Sequence, residues 1–265
     1  MHLTVLLDNH SDKEKFETEH GLSFYIETGY SKILFDTGQS EAFIHNALKM
    51  GVDISAVDYL VLSHGHYDHT GGIEHFLKYN HQAKILIRPE ALLPKYHGKK
   101  YIGVYLSLKI PEKRIIQLND NFTIDPVTEV TGNIQVGHPE DVHYEDFFIK
   151  AQEGILPDTF RDEVFLTLKA DGKVTIITGC SHNGILNIIE TARQHFTEPV
   201  GGIFGGFHLK DSNEQTVKKT AEFLNAINIE RIVTGHCTGM ENFLILRRYC
   251  KTQVSYSFTG NTFKL

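Results

Sequence analysis

The sequence predicts an α/β fold, and three observations carry that expectation. Short apolar runs rich in Val, Ile, Leu and Phe recur along the chain at strand length. In the last third each run is followed by a polar turn and then an amphipathic stretch of helical period. The aspartates, histidines and cysteines with chemistry to offer fall one to a few residues past the end of such a run, mostly next to glycine. Sheets with helices on their faces place their sites at strand ends, where loops converge on rigid roots.

Taken in order, "LTVLLDN" (3–9), "LSFYIETG" (22–29) and "KILFDTG" (32–38) read as strands, the last two joined through Gly29 as a hairpin. Ser40 is expected to cap a helix "EAFIHNALKMG" with Phe43, Ala47 and Leu48 on one face and Gly51 as a left-handed stop. "VDYLVLSHGH" is a buried strand that runs straight into a histidine cluster. A helix over 72–79, a strand "AKILIRP" and a helix starting at Pro89 follow. Residues 96–160 are loosely patterned, with strands expected in "RIIQL" and "FTIDPVTEVTG". "EVFLTLKADGKVTIITGC" is a hairpin about Asp171-Gly172. Three strand–turn–helix units complete the chain: "VTIITGCSH" with "GILNIIETARQHF", "VGGIFGGFHL" with "NEQTVKKTAEFLNAI", and "ERIVTGHCTG" with "NFLILRRYC".

No Pro/Ser/Gly-rich linker divides the 265 residues, so a single domain over 1–265 is expected. A 41% hydrophobic content suffices for a sizeable core. With 26 Lys+Arg against 33 Asp+Glu and no basic stripe, nucleic acid is not the expected partner. No apolar run reaches the roughly 18 residues of a membrane span, and "MHLTVLLDNHSDKEKF" soon turns polar, so no membrane partner and a cytoplasmic location are expected. Cys180, Cys237 and Cys250 are too few and scattered for a disulfide framework, which agrees with a reducing compartment. Nothing in the sequence specifies an oligomeric state.

The densest signal is "SHGHYDHTGG" (63–72), which packs His64, His66, Asp68 and His69 into six positions. In an extended or tightly turned segment His64 and His66 project to one side, so both imidazoles can meet one ion at about 2.0–2.1 Å. Asp68 and His69 lie beyond a turn and can address a second. Nitrogen and carboxylate ligands suit zinc, iron or manganese. Each ion needs a further ligand, which the later strand ends at Cys180/His182, His208 and His236/Cys237 can supply.

"SHGHYDHTGG" after a strand, preceded by "ILFDTG" and followed far downstream by "TGH", resembles the metallo-β-lactamase-fold superfamily of metal-dependent hydrolases. More narrowly, "EHGLSFYI", "TGCSHNGI", "GGFHL" and "GHCTG" look like the dihydropteroate-synthase-like subgroup, related to the archaeal dihydropterin–ribofuranosylaminobenzene phosphate synthases. The resemblance implies an αββα sandwich of two mixed sheets flanked by helices, with a dinuclear site at one edge. It implies His64, His66 and His182 on a first metal and Asp68, His69 and His236 on a second, with zinc the first expectation and iron or manganese the alternatives. Asp36 would orient a ligating imidazole by accepting its other N–H, and Asp68 could also take a proton from the attacking water.

The chain departs from that pattern at "TGCSH", where Cys180 stands in place of the usual metal-bridging aspartate of a "GD". If the segment stays extended, Cys180 and His182 face the same side and either could ligate; His182 is preferred because imidazole needs no thiolate to form. The number of tightly held metals is therefore open. His208 is a further ligand or a substrate-contacting acid, or merely caps the next helix; Cys237 is a buried structural residue or a substrate-side thiol; Cys250 belongs to the core; His20 reaches the cleft or stays in its loop. The expected activity is metal-dependent hydrolysis of an ester- or phosphoester-type small molecule, possessing a phosphate in some readings. The subgroup implies the alternative, a transferase joining a pterin-methyl diphosphate to an aromatic amine phosphate. A non-catalytic metal-binding module and a nuclease of the same fold are the remaining readings.

Overall fold

A computed structural model describes residues 1–105 and 109–265; residues 106–108 of the loosely patterned stretch lie outside the described residues. Two seven-stranded sheets dominate. The first runs in the order Thr262–Lys264, His2–Leu7, Ser23–Glu27, Lys32–Phe35, Tyr59–Val61, Lys84–Ile87, Ile115–Gln117. The second runs Val254–Tyr256, Arg231–Thr234, Val200–Gly205, Lys173–Ile177, Phe165–Ala170, Thr128–Thr131, Phe122–Asp125. Both are mixed: from Lys32–Phe35 onward the first sheet pairs in parallel, as do the four strands of the second from Lys173–Ile177 to Val254–Tyr256.

The period of two in the strands builds three apolar layers. Ile33 and Phe35 face Leu166, Ile177, Phe204 and Val233 across the gap between the sheets, while Leu34 between them faces Phe43 and Ile44 of the helix Ala42–Met50. Val174 and Ile176 turn instead to the helices Ile185–His195 and Glu214–Ala226. Helix, sheet, sheet and helix are thus stacked in that order, the αββα sandwich. The "ADGK" turn has Asp171 at φ 50° and Gly172 at φ 71°, both positive as a two-residue hairpin of primed type requires.

Several local expectations need correction. The helix expected from Pro89 is a single 3-10 turn, Pro89–Leu92, because Leu93 precedes Pro94 and is driven to ψ 144°. "FTIDPVTEVTG" is a hairpin of two strands; Pro126, having no N–H for a ladder, sits in its turn. Leu48 is 65% exposed, and Ile44 takes its place on the buried helix face. That helix begins at Ala42, one position later than a Ser40 cap would set it, although Ser40 Oγ does accept the Ala42 N–H at 3.1 Å. Cys250 lies just past the helix Met240–Tyr249, half-buried against the core.

The loosely patterned middle forms a small antiparallel sheet, ordered Gly154–Pro157, Phe147–Ala151, Lys95–His97, Lys100–Tyr101. His97, Lys100 and Phe147 from this sheet line the same cavity as His66 and Asp68, so the segment with the weakest pattern contributes to the site. Among the described residues no helix is long and apolar enough to cross a membrane.

Candidate metal site

Residues from the C-terminal ends of parallel strands meet at one edge of the sandwich. Asp36 follows Phe35, Ser63 and His64 follow Val61, Cys180 and His182 follow Ile177, His208 follows Gly205, and His236 follows Thr234. Asp36, Ser181, His208 and His236 all hold positive φ, between 45° and 61°. For residues with a Cβ this costs on the order of 1 kcal/mol or more each, and such strain concentrates at functional sites.

The motif of residues 63–72 is held tightly. Ser63 N–H and Gly65 N–H donate to Asp36 Oδ1 and Asp162 Oδ2, each at 2.7 Å. A Cβ at Gly65 would lie 2.1 Å from the Ala91 carbonyl oxygen, so only glycine lets the chain turn here. His66 then precedes a one-turn helix Tyr67–Thr70 that carries Asp68 and His69.

Two groups of donors result. His64, His66 and His182 bring ligand atoms within 4.8 Å of one another, as do Asp68, His69, Cys180 and His236. Both are buried. The expected contest between Cys180 and His182 does not arise: Ser181 at φ 61° breaks the extended course, sending His182 to the first group and Cys180 to the second. Cys180 Sγ and His236 Nε2 stand 3.1 and 3.2 Å from His69 Nε2.

Outer partners set the imidazoles. His69 Nδ1–H donates to Asp36 Oδ2 at 2.7 Å. Ser63 Oγ donates to the same oxygen at 2.7 Å and accepts from His64 Nδ1–H at 2.9 Å. His236 Nδ1–H donates to Asn9 Oδ1 at 2.9 Å, and His182 Nδ1–H to the His143 carbonyl at 3.3 Å. With Nδ1 protonated, each Nε2 presents its lone pair to the cavity. Nε2 of His64, His66 and His182 is buried with no hydrogen-bond partner among the described residues. Three converging buried acceptors without donors are the signature of a cation's seat, so the donor set fits a divalent metal.

The electrostatics agree. Burial holds His64 and His182 well below the ordinary imidazole value and pushes His66 down to about 3 and His236 to about 4, so all four are neutral at pH 7. Burial alone would raise Asp68, but His69, His20 and His236 hold it well below the carboxylate range. His69 is the exception: burial lowers it, and Asp36 and Asp68 outweigh that and raise it. A cation at Nε2 competes with any proton there, so uptake depends on pH.

These residues line a cavity of about 690 Å³. His20 sits at its edge, with Nε2 3.2 Å from Asp68 Oδ2 and its ring stacked on His236. His208, Cys237 and Lys210 line it too. Several participants carry no signal of their own in the sequence. Asn9 and Ser63 are ordinary polar strand ends. His143, with its Nε2 buried and unpartnered among the described residues, and Phe160, stacked on His182 at 3.8 Å, come from the loosely patterned middle. Lys95, just before that stretch, is fully buried between Asp158 (2.6 Å) and Asp162 (2.9 Å). Glu163 accepts the His182 and Asn183 N–H groups and fixes the "TGCSH" turn.

A family profile described as the metallo-β-lactamase superfamily matches residues 17–236. The chain belongs to the metallo-β-lactamase superfamily. A crystal structure described as a metal-dependent hydrolase of the β-lactamase superfamily superposes with a TM-score of 0.87 at 31% identity, covering 100% of this chain and 99% of that one. The metallo-β-lactamase fold protein YhfI from Bacillus subtilis shares the fold at a TM-score of 0.60 and 13% identity, over 99% and 98% of the two chains. In sequence, an uncharacterized Methanocaldococcus jannaschii protein is 32% identical over 90% of this chain and 91% of its own. The 7,8-dihydropterin-6-methyl-4-(β-D-ribofuranosyl)-aminobenzene-5′-phosphate synthase of the same organism is 29% identical over 85% and 83%. The subgroup resemblance read from the sequence therefore agrees with the relatives found.

Two expectations follow for a metallo-β-lactamase-superfamily site so arranged. Asp36→Asn leaves the fold but loses the acceptor that orients His69 and, through Ser63, His64. Divalent metal affinity, measured by competition with a chelator, is expected to fall about 10–100-fold. The second concerns Asp141, whose Oδ2 accepts the Leu186 N–H at 2.8 Å beneath the cavity wall. Burial pushes its carboxyl from 3.8 to about 7. The folded state thus binds this proton more tightly than the unfolded one: the benefit is complete below about pH 4 and lost as pH rises towards 7. In chelator, wild type is expected to lose a few kcal/mol relative to Asp141→Asn between pH 4 and 7; parallel urea midpoints for both proteins would contradict this.

Proposed function

We propose that this protein is a hydrolase using a pair of divalent metals, zinc first, against an ester- or phosphoester-type small molecule. The observation that carries the reading is the convergence of three unpartnered, buried Nε2 atoms beside a second donor group holding an ionised aspartate. His64, His66 and His182 are assigned to one metal, and Asp68, His69, His236 and the Cys180 sulfur to the other. When bound, such a pair supplies Lewis acidity, polarising a carbonyl or phosphoryl oxygen and lowering the pKa of water from about 15.7 towards about 7.

The chain's own residues do the rest. Asp36 fixes the tautomers of His69 and His64, and Asn9 that of His236. Asp68, kept ionised by its histidine neighbours, accepts the proton of the attacking water. His20 Nε2 lies against Asp68 Oδ2 at the cavity edge and can carry that proton to solvent, since its side chain is 45% exposed. His208, from the cavity wall, contacts the substrate. Phe147 and Phe160 flank His66 and His182 and exclude water from that side of the metals.

A second reading is favoured by the archaeal synthase at 29% identity over 85% of this chain. In it metals held by the same ligands would bind the diphosphate of a pterin-methyl donor, which the nitrogen of an aromatic amine phosphate displaces. Generic esters and phosphodiesters, offered with and without Zn²⁺ or Mn²⁺, separate the two. Metal-dependent turnover is expected; failure on every ester, together with conversion of a pterin-methyl diphosphate and an amine acceptor, would overturn the hydrolase in favour of the transferase.

A further inference from the structure

The sulfur of Cys237 belongs to neither donor group above, yet the backbone is shaped around it. Cys237 is buried in the cavity wall. A Cβ on Gly206 would come within 2.3 Å of its Sγ, so only glycine lets the strand end close over the sulfur. His208, strained at φ 50°, donates its backbone N–H to that Sγ at 3.3 Å. The Cys237 thiol in turn donates to the Cys180 carbonyl at 3.4 Å, so the two cysteines and the His208 backbone are held against one another.

A second, independent feature points to a ligand. His208 Nδ1 is buried with no hydrogen-bond partner among the described residues, and the ligand atoms of Cys180, His208 and Cys237 lie within 4.8 Å of one another. We propose that Cys180, His208 and Cys237 form a third cation subsite in this cavity, selective for thiophilic divalent ions such as Zn²⁺ or Cd²⁺. Two sulfurs and one imidazole are a soft set that discriminates against Mn²⁺ and Mg²⁺. On binding, each thiol gives its proton to solvent and a sulfur–metal bond replaces S–H. Cys180 Sγ, 3.1 Å from His69 Nε2, borders both this subsite and the Asp68/His69/His236 group. A thiolate would then stand between two ions where a carboxylate is missing from the chain. One ring nitrogen of His208 goes to the cation and the other is left for substrate, so its proposed contact is retained.

The test uses the full chain, reduced and stripped of metal, titrated with Cd²⁺ while ultraviolet thiolate-to-cadmium charge transfer and bound cadmium are measured. Wild type is expected to bind one cadmium more than Cys237→Ser, which also loses roughly half of the charge-transfer absorption. If that variant fails to fold, His208→Ala serves instead, with one cadmium fewer and both thiols present. His66→Ala, which touches only the first donor group, should lose a cadmium and keep the charge-transfer band. Full cadmium content in His66→Ala would count against the metal assignment of that group without touching this subsite. A band of equal intensity in wild type and Cys237→Ser, or equal cadmium content in the two, would overturn the subsite.

Discussion

Replacing His66 by alanine is expected to remove at least one equivalent of bound divalent metal while the fold persists. The imidazole is buried and neutral, and its Nε2 has no hydrogen-bond partner among the described residues. Its truncation therefore leaves no donor stranded and costs only packing against Phe147 and Phe160, of the order of 1–2 kcal/mol. The metal loses one of three converging nitrogens, a larger change than the 10–100-fold expected from removing an orienting partner. Elemental analysis beside a far-ultraviolet circular dichroism spectrum reads both outcomes. Unchanged stoichiometry would refute the ligand assignment.

Lys95→Ala is expected to have the largest effect on stability. Its ammonium is 1% exposed between Asp158 and Asp162. Burial would lower its pKa, but the two aspartates outweigh that and hold it above the ordinary lysine value. Burial and the neighbouring Asp162 raise Asp158, as expected of two carboxylates sharing one cation. Removing the cation strands both acids in the interior, which costs about 3–5 kcal/mol and, for a chain of this size, lowers Tm by roughly 6–20 °C. Because Asp162 also accepts the Gly65 N–H, the loss reaches the turn that carries His64 and His66. Replacing all three with Met, Asn and Asn should recover much of the stability. A Lys95→Ala protein within about 1 kcal/mol of wild type would contradict the account.

The contrast between these two residues shows which parts of the molecule the sequence makes legible. His66 stands in a dense block whose spacing states its chemistry, and the strand ends that complete the site follow clear apolar runs. The parallel halves of both sheets were readable for the same reason: strands buried on two faces are continuously apolar, and glycines mark where they stop. Lys95, His143 and Phe160 come from segments of mixed polarity in which neither a period of two nor one of 3.6 develops. Their places are set by contacts made at a distance, such as the ion pair across 63 residues from Lys95 to Asp158. The shared side expected for Cys180 and His182 in an extended segment is lost for a local reason. Alternation predicts that residues two apart share a side, and a single positive φ at Ser181 cancels it. Leu48 and the helix expected at Pro89 fail likewise, one at a helix end with its hydrophobe outward, the other cut short by Pro94.

The central claim is that buried histidine nitrogens and Asp68 hold catalytic cations at the end of the parallel strands. Anomalous scattering from crystals of the zinc-loaded protein tests it most directly. The account predicts peaks about 2.0–2.1 Å from the ligating nitrogens of His64, His66 and His182 and, separately, of His69 and His236. Zinc absent from both positions, or bound only at surface residues away from this cavity, would contradict it.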